Sequence, residues 1–541
     1  MVFEDLRRWS VGDRRTTDVC VVGAGPAGLA LARSLAARGV DVLLVESGGL
    51  NGEGRAGHLD ESTIVGRPYN YPVSGRARGF GGSTSLWAGQ CVELRPHDLQ
   101  LRPWVAHSGW PIRHEDLRPY LARAAALLEV ADRLPVDEVR EARGVAGRSF
   151  GPACEEFATV FAPRLDLGER FRGDIGRSTR VVCLLHATAV ALHRDRDRRR
   201  VERLTVSTTD GQRASISAAA FVLCAGGVEN ARLLLAAADE GIAPGDRYGQ
   251  VGRYLQEHPS AMTVRMTTTD TRSLLANFDL AVHRGLRYWP KLATTPFIEH
   301  EVEIAAASAS LEIEWGQPEA VLAARALVQH VRRRRAPARS VVGDAFRRLP
   351  HILSASYRAA GAQRGWPAAR PVRMGLRVQV EQEPNPASRV TLGRDRDALG
   401  TPRAQVDWRL SSLDARTLGT ATRLFASALS GSGLAAMSHV HPSRGALPDV
   451  VDEAYHPSGT TRMSETERSG AVDARLRVHG TANLFACGSS VFPTVGYANP
   501  TQTLCALALR LADHLVERVV TGGHVVATRV DAVRAGQDRP R

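Results

Sequence analysis

Lysine is almost missing from this chain: of 70 lysine and arginine residues among 541, one, Lys291, is lysine. Such a bias, beside abundant alanine, valine and glycine, reads as a coding preference, so the formal net charge of +13 does not point to a polyanion partner and no nucleic acid is expected. Cysteine is scarce too. Seven are scattered through the sequence without a C-x-x-C or C-x-x-C-H pair, which excludes a zinc ribbon, a thioredoxin couple and an attached c-type haem. They are expected to be reduced core thiols. Long apolar runs are absent: the longest, SAAAFVLCAGG around Phe221, is about half of the roughly 18 to 20 residues a bilayer span needs, so no transmembrane segment is expected. The opening MVFEDLRRWSVGDRR has no apolar core of a secretory leader, and cytoplasmic residence is expected. What remains is ordinary for a globular enzyme: 43% hydrophobic and 23% charged residues, in a length that calls for two or three domains.

The first 46 residues carry the clearest local signal. Thr17 to Val22 is a β-branched apolar run, GAGPAG follows at 23–28, and LALARSLAARG has helical periodicity ending at Gly39. Asp41 to Val45 is a second buried-type strand, ending in Glu46. This is a βαβ unit of dinucleotide-binding type. Gly23 permits a sharp turn, Gly25 lets backbone approach a pyrophosphate beside Ala27 at the helix N-terminus, Gly28 lets the helix lie close to the strand, and Glu46 suits a ribose hydroxyl. NAD and FAD both fit this unit. A second glycine-rich stretch, RARGFGGSTSLWAGQ from Arg76 to Gln90, supplies Gly81, Gly82 and Ser83 as a further anchoring loop, with Trp87 and Ala88 at its end. Two cradles suit a large cofactor held along its length.

Further on, Val181 to Leu192 and Val201 to Thr208 read as strands joined by a charged turn at 195–200, and FVLCAGG at 221–227 runs as a buried strand into another glycine turn. Glu301 to Ala306 and Val372 to Glu381 also read as strands. The discontinuous stretches 14–110, 175–260 and 450–520 are expected to form the nucleotide domain. Residues 111–174 and 261–449 are expected to form an α+β substrate domain, with a helical Arg-rich insertion at about 318–370 and a loose tail at 521–541.

Two C-terminal segments could do chemistry. AYHPSGTTRM, 454–463, holds His456; GSSVFPTVGYANPTQT, 488–503, leads through Asn499, Pro500 and Thr501 into a long helix. A lone histidine before proline is more often an ordinary polar loop residue. Placed beside Asn499 and a redox ring, however, it would be a base for an alcohol proton, with Asn499 holding the oxygen.

Together GAGPAG with Glu46, GFGGSTSLWAG, FVLCAGG, EQEPNPASRVTL at 381–392, YHPSGTTRM and GSSVFPTVGYANPTQT resemble the glucose-methanol-choline family of flavoprotein oxidoreductases, in order, with about 261–370 unmatched. The resemblance implies an α/β architecture: a Rossmann-like FAD-binding domain of the p-hydroxybenzoate-hydroxylase-like type, and an α+β substrate-binding domain carrying an antiparallel sheet. It implies oxidation of a hydroxyl by hydride transfer to flavin N5, with His456 as base and Asn499 as the second site residue. Val190, Ala225, Gly488, Asn499, Pro500 and Thr501 join the cofactor-binding set on the same ground. The sequence is most similar to the sugar-oxidising branch, with pyranose 2-oxidase and the bacterial sugar and glycoside dehydrogenases, which implies a sugar, a glycoside or a sugar-containing natural product as substrate, a non-sugar alcohol being the alternative. Where pyranose 2-oxidase-like chains carry a flavin-linking histidine, this one has Leu86 before Trp87. Noncovalent FAD is therefore expected, with oxygen, a quinone or a protein as electron acceptor, and no metal.

Overall fold

The computed structural model describes residues 2–521 apart from 11, 51–58, 132–135, 143, 146–147, 239–240, 315–372, 441–446 and 449. The Arg-rich insertion, and the tail beyond Thr521, thus lie outside the described residues.

The apolar run at the start of the chain builds the middle of the first sheet. Its order is β1 (Phe3–Asp5), β7 (Val181–Leu185), β3 (Val42–Val45), β2 (Arg14–Val22), β10 (Arg213–Leu223), β9 (Val201–Ser207) and β8 (Thr188–Arg194), with β19 (Leu484–Ala486) also on β10. The five strands from β1 to β10 pair in parallel, as does β19, whereas β8 and β9 form an antiparallel extension. Strands buried on both faces read as unbroken apolar runs, and β3 and the ends of β2 and β10 do so. Between β2 and β3 lies the helix Pro26–Ala36, with proline in its first turn and Gly39 at φ 82° just past its end.

A second, antiparallel sheet has the order β18 (Ala436–Val440), β11 (Ser260–Thr267), β15 (Arg373–Val380), β14 (Ala307–Glu314), β13 (Leu286–Thr294), β6 (Cys154–Phe161) and β5 (Gln90–Cys91), with β12 (Ala281–His283) on β13. One face, with Leu292, Ala309 and Val378, packs on Phe425 of the helix Ser412–Gly431. A reciprocal cap starts that helix: Asp414 N–H donates to the Ser411 hydroxyl and Ser411 N–H to the Asp414 carboxylate. A small sheet of β16 (Arg389–Arg396), β17 (Pro402–Asp407) and β4 (Ser62–Ile64) completes the strands.

Two expectations need correction. Glu301 to Ala306 is not a strand. Pro296 and the Thr295 cap start a short helix, Pro296–Glu301, and Ile304 N–H then bonds back to the Glu299 carbonyl, so the strand begins only at Ala307. Val181 to Leu192 is not one strand either. His186, at φ 55°, turns the chain between parallel β7 and antiparallel β8. All seven cysteines are buried and unpaired, and among the described residues no helix is long and apolar enough to cross a membrane.

Candidate functional site

The carboxyl ends of β2, β10 and β19 meet at one edge of the parallel sheet, where open α/β folds take their ligands. β2 ends in Gly23, whose φ of 106° only glycine adopts readily and whose absent Cβ would lie 2.6 Å from the Cys224 carbonyl. Gly28 is pressed so tightly against the Gly23 carbonyl that any side chain would overlap it. Gly25 differs: a Cβ there would meet nothing within 4 Å, so backbone stands open at the N-terminus of the helix Pro26–Ala36, next to Ala27. The second glycine loop comes to this opening. Gly81 N–H donates to the Ala24 carbonyl (2.9 Å), and a Cβ on Gly82 would lie 2.8 Å from Gly25 Cα. Ser83 follows, and the Trp87 indole donates to the Leu165 carbonyl (2.6 Å) while the neighbouring Ala88 is exposed.

Glu46 has a larger part than the sequence indicates. Its buried carboxylate accepts from Ala24 N–H (2.9 Å), Gly48 N–H (2.9 Å) and Gly79 N–H (2.8 Å), tying both glycine loops to the end of β3. Val190 lies on β8, two residues beyond Thr188, whose hydroxyl meets Ser47 at 2.8 Å. Ala225 and Gly488 begin the turns after β10 and β19; Gly488, at φ 121°, also faces open space. Pro500 and Thr501 open the helix Pro500–Thr521, which packs on Pro26–Ala36 so that both helices start at this edge. Open backbone at Gly25 and Gly488, beside two closely apposed glycine loops, fits FAD.

His456 is brought to this region by backbone pairing. Gln256 pairs with Ser458 and Ser260 with Asp452, antiparallel, so a step of four positions on one segment is matched by a step of six on the other. The surplus makes a bulge in which Tyr455 takes φ 62°, presenting His456 toward His258. Pro457 and Thr460 lie against Gly227 at the turn after β10, Thr460 donating to its carbonyl.

Around His456 the hydrogen bonds have a defined direction. The Gly496 carbonyl can only accept, so His258 donates to it from Nε2 (3.1 Å) and its Nδ1 carries no proton while the ring is neutral. That Nδ1 lies 3.1 Å from Nδ1 of His456, which must therefore be the donor. The unprotonated nitrogen of His456 is then Nε2, and the Asn499 amide NH2 sits 3.4 Å from it, a long bond that one substrate oxygen could bridge. Burial, with repulsion from His258 and Lys291, holds His456 well below the usual histidine range. Burial similarly lowers His258 to about 4, so both rings are neutral at neutral pH.

Several supporting residues carried no sequence signal. Glu257 accepts from His456 N–H (2.9 Å), His258 N–H (3.3 Å) and the Tyr69 hydroxyl (2.7 Å), with its carboxyl pushed up by burial to about 7. Glu381 holds Gly496 N–H (3.2 Å) and forms a buried two-pronged pair with Arg102 (2.7 and 2.6 Å). A His-Pro dipeptide is shared by 258–259 and 456–457, but it also occurs at 441–442 and so does not single out His258.

Residues 384–508 match the family model described as GMC oxidoreductase, and residues 16–65 match an FAD binding domain. The chain is 24% identical to a 2-methyl-1,2-propanediol dehydrogenase of Mycolicibacterium austroafricanum, covering 93% of this chain and 95% of that one. It is 21% identical to a fructose dehydrogenase large subunit of Gluconobacter japonicus (94% and 99%) and 22% to a paromamine 6'-oxidase of Streptomyces fradiae (92% and 91%). Its fold is that of a formate oxidase (TM-score 0.54, 16% identity, covering 95% and 100%) and of a pyridoxine 4-oxidase from Mesorbium loti (TM-score 0.52, 18% identity, 92% and 99%).

Proposed function

We propose, from the premise that this chain belongs to the GMC oxidoreductases and is an FAD-dependent enzyme, that it oxidises a hydroxyl of a sugar, glycoside or sugar-containing natural product to a carbonyl, with His456 as the base. The observation that carries the reading is the unprotonated Nε2 of His456 facing the Asn499 amide across 3.4 Å. A hydroxyl oxygen between them loses its proton to Nε2 while Asn499 donates to it, stabilising the negative charge that develops as the O–H bond breaks. Bound FAD supplies the acceptor for the hydride leaving the carbinol carbon. His258 keeps accepting from Nδ1 of His456 throughout, so the ring neither rotates nor changes tautomer. No carboxylate is hydrogen-bonded to either nitrogen of the His456 ring among the described residues, so its cation stays acidic and releases the proton after turnover.

The sugar class is supported by the similarity to a fructose dehydrogenase subunit and a paromamine 6'-oxidase. Similarity to a propanediol dehydrogenase favours the second reading, a non-sugar alcohol. We assign 14–110, 175–260 and 450–520 to the cofactor domain and 111–174 and 261–449 to the substrate domain. FAD is held noncovalently in this reading, because Leu86, before Trp87, offers no atom that could bond to the flavin. Seven unpaired buried thiols suit the cytoplasm.

The test is anaerobic bleaching of the flavin absorption by sugars, glycosides and simple alcohols. Bleaching by a sugar or glycoside is expected, and air then tells an oxidase from an enzyme that uses a quinone or protein acceptor. Bleaching by apolar alcohols alone would remove the sugar. His456→Ala is expected to keep FAD and slow flavin reduction by about 100-fold or more, as loss of a general base does; an unchanged rate would remove His456 from the mechanism.

A further inference from the structure

We propose that Lys291 is a specificity-determining residue that donates a hydrogen bond to a second oxygen of the substrate, distinct from the hydroxyl being oxidised, so that the site selects polyols and sugars over simple alcohols. This deepens the alcohol-oxidation reading and rests on it. Lys291 stands on β13 opposite Phe157 of β6. On this sheet face Phe157 and Ala293 pack against Tyr497, in the loop that delivers Asn499 two residues later. The other face, with Leu292, belongs to the core beneath the sheet. Lys291 thus points to the His456 side, and its charge acts on His456.

Its surroundings leave donor capacity unused. The ammonium donates to Gln90 Oε1 (3.0 Å), which also accepts from the Thr159 hydroxyl (3.2 Å), and it lies 4.7 Å from the centre of the Trp289 ring. No carboxylate partner is found for it among the described residues. An ammonium has three N–H donors, and one amide oxygen with one ring face does not use them all. Gln90 anchors it from the segment just after Trp87 and Ala88, so the cation is held between the cofactor loop and the substrate sheet. Desolvation brings it down to about 8, so it is still mostly charged at neutral pH.

Composition gives a separate reason. In a chain that uses arginine at every other strongly basic position, this one has kept lysine. A compact ammonium and a planar five-donor fork are not interchangeable at such a position.

The test uses holoenzyme and anaerobic flavin reduction by propan-1-ol, glycerol and glycerate. Wild type is expected to prefer glycerol to propan-1-ol. In Lys291→Met, with flavin content and spectrum retained, that preference should fall roughly tenfold to a hundredfold, the range for a hydrogen bond to a charged group, mainly through half-saturation. Lys291→Arg should recover only part. A preference for glycerate that vanishes in Lys291→Met would identify the second oxygen as a carboxylate's, whereas an unchanged preference ratio in Lys291→Met would overturn the proposal. Failure of these alcohols and of every sugar and glycoside to bleach the wild-type flavin would instead overturn the alcohol reading. A separate readout covers that case, because protein labelled with lysine-13Cε gives one lysine resonance. Titration near 8 supports a lysine desolvated inside the site, and titration at the free value of about 10.4 overturns it.

Discussion

The cofactor edge and the His456 site are built in opposite ways. The cofactor edge takes its first strand, turn, helix and acidic residue from one unbroken stretch, Arg14 to Glu46. The His456 site draws on Tyr69, Gln90, Glu257, His258, Lys291, Glu381, His456, Gly496 and Asn499, more than 400 positions apart at the extremes. A local site fails when one backbone position is wrong. A convergent site fails by degrees, since each distant residue constrains only part of the geometry.

The largest effect should therefore follow from a single added side chain at the cofactor edge. Gly28→Val forces a branched side chain into the Gly23 carbonyl and pushes the helix off β2. The expected result is folded protein that purifies without flavin, checked by absorbance after desalting together with a far-UV spectrum. Retention of stoichiometric FAD would show that the tight helix packing is dispensable, and the contrast between the two regions would lose its physical basis. Gly25→Ala, where a Cβ meets no protein atom, should leave the fold intact and weaken FAD only through the space the methyl takes from the cofactor, by less than Gly28→Val.

At the convergent site the next effect down is the loss of the tautomer lock. His258→Phe keeps an aromatic ring but leaves Nδ1 of His456 without its acceptor. Flavin reduction should slow by about tenfold, less than the roughly 100-fold or more expected for loss of the base itself, with FAD content unchanged. The pH profile separates this from simple loosening. Burial, His258 and Lys291 all lower His456, so the acid limb of kcat/KM in the wild type lies well below 6.5. Removing the Lys291 charge raises the pKa of His456, so the limb should move to higher pH in Lys291→Met, whereas His258→Phe, which removes a neutral acceptor from the His456 ring N–H, should not move it upward. A limb that stays in place in Lys291→Met would mean that His456 is not the titrating base.

How much of this could be read from the sequence follows the same division. The sharp turn at Gly23 and the close helix packing at Gly28 were legible because a strand, a glycine turn and a helix follow one another locally, whereas the part of Glu46 seen in the structure, accepting from three backbone amides, one of them at Gly79, was not. His456 and Asn499 could be picked out by residue type and by family resemblance. Their relation to His258 could not, because it depends on a bulge between two paired segments about 200 positions apart. The strand expected at Glu301 to Ala306 failed for a related reason: apolar residues buried in a connection have the same composition as a strand, and the Thr295-Pro296 helix start overrode them. Lys291 was visible as an oddity of composition, without a place in the site until β13 was seen to face it.

The smallest effect tests whether the outer support of the convergent site matters at all. Tyr69→Phe removes one of three donors to the buried Glu257 carboxylate and leaves the other two, the backbone amides of the two histidines. Glu257 is raised to about 7, above its unfolded value, so its contribution to stability is full below about 4.5 and is lost as pH rises through about 7. The tyrosine hydroxyl eases that loss by solvating the carboxylate, so without it the carboxyl should rise further. The stability deficit of Tyr69→Phe should be small at pH 5, where the folded carboxyl is protonated, and reach about 1 kcal/mol at pH 8, the usual scale of one buried hydrogen bond. Thermal melts of both proteins at the two pH values measure it. A deficit larger at pH 5 than at pH 8 would mean that the tyrosine stabilises the protonated carboxyl, and that Glu257 holds the two histidine amides through an uncharged group.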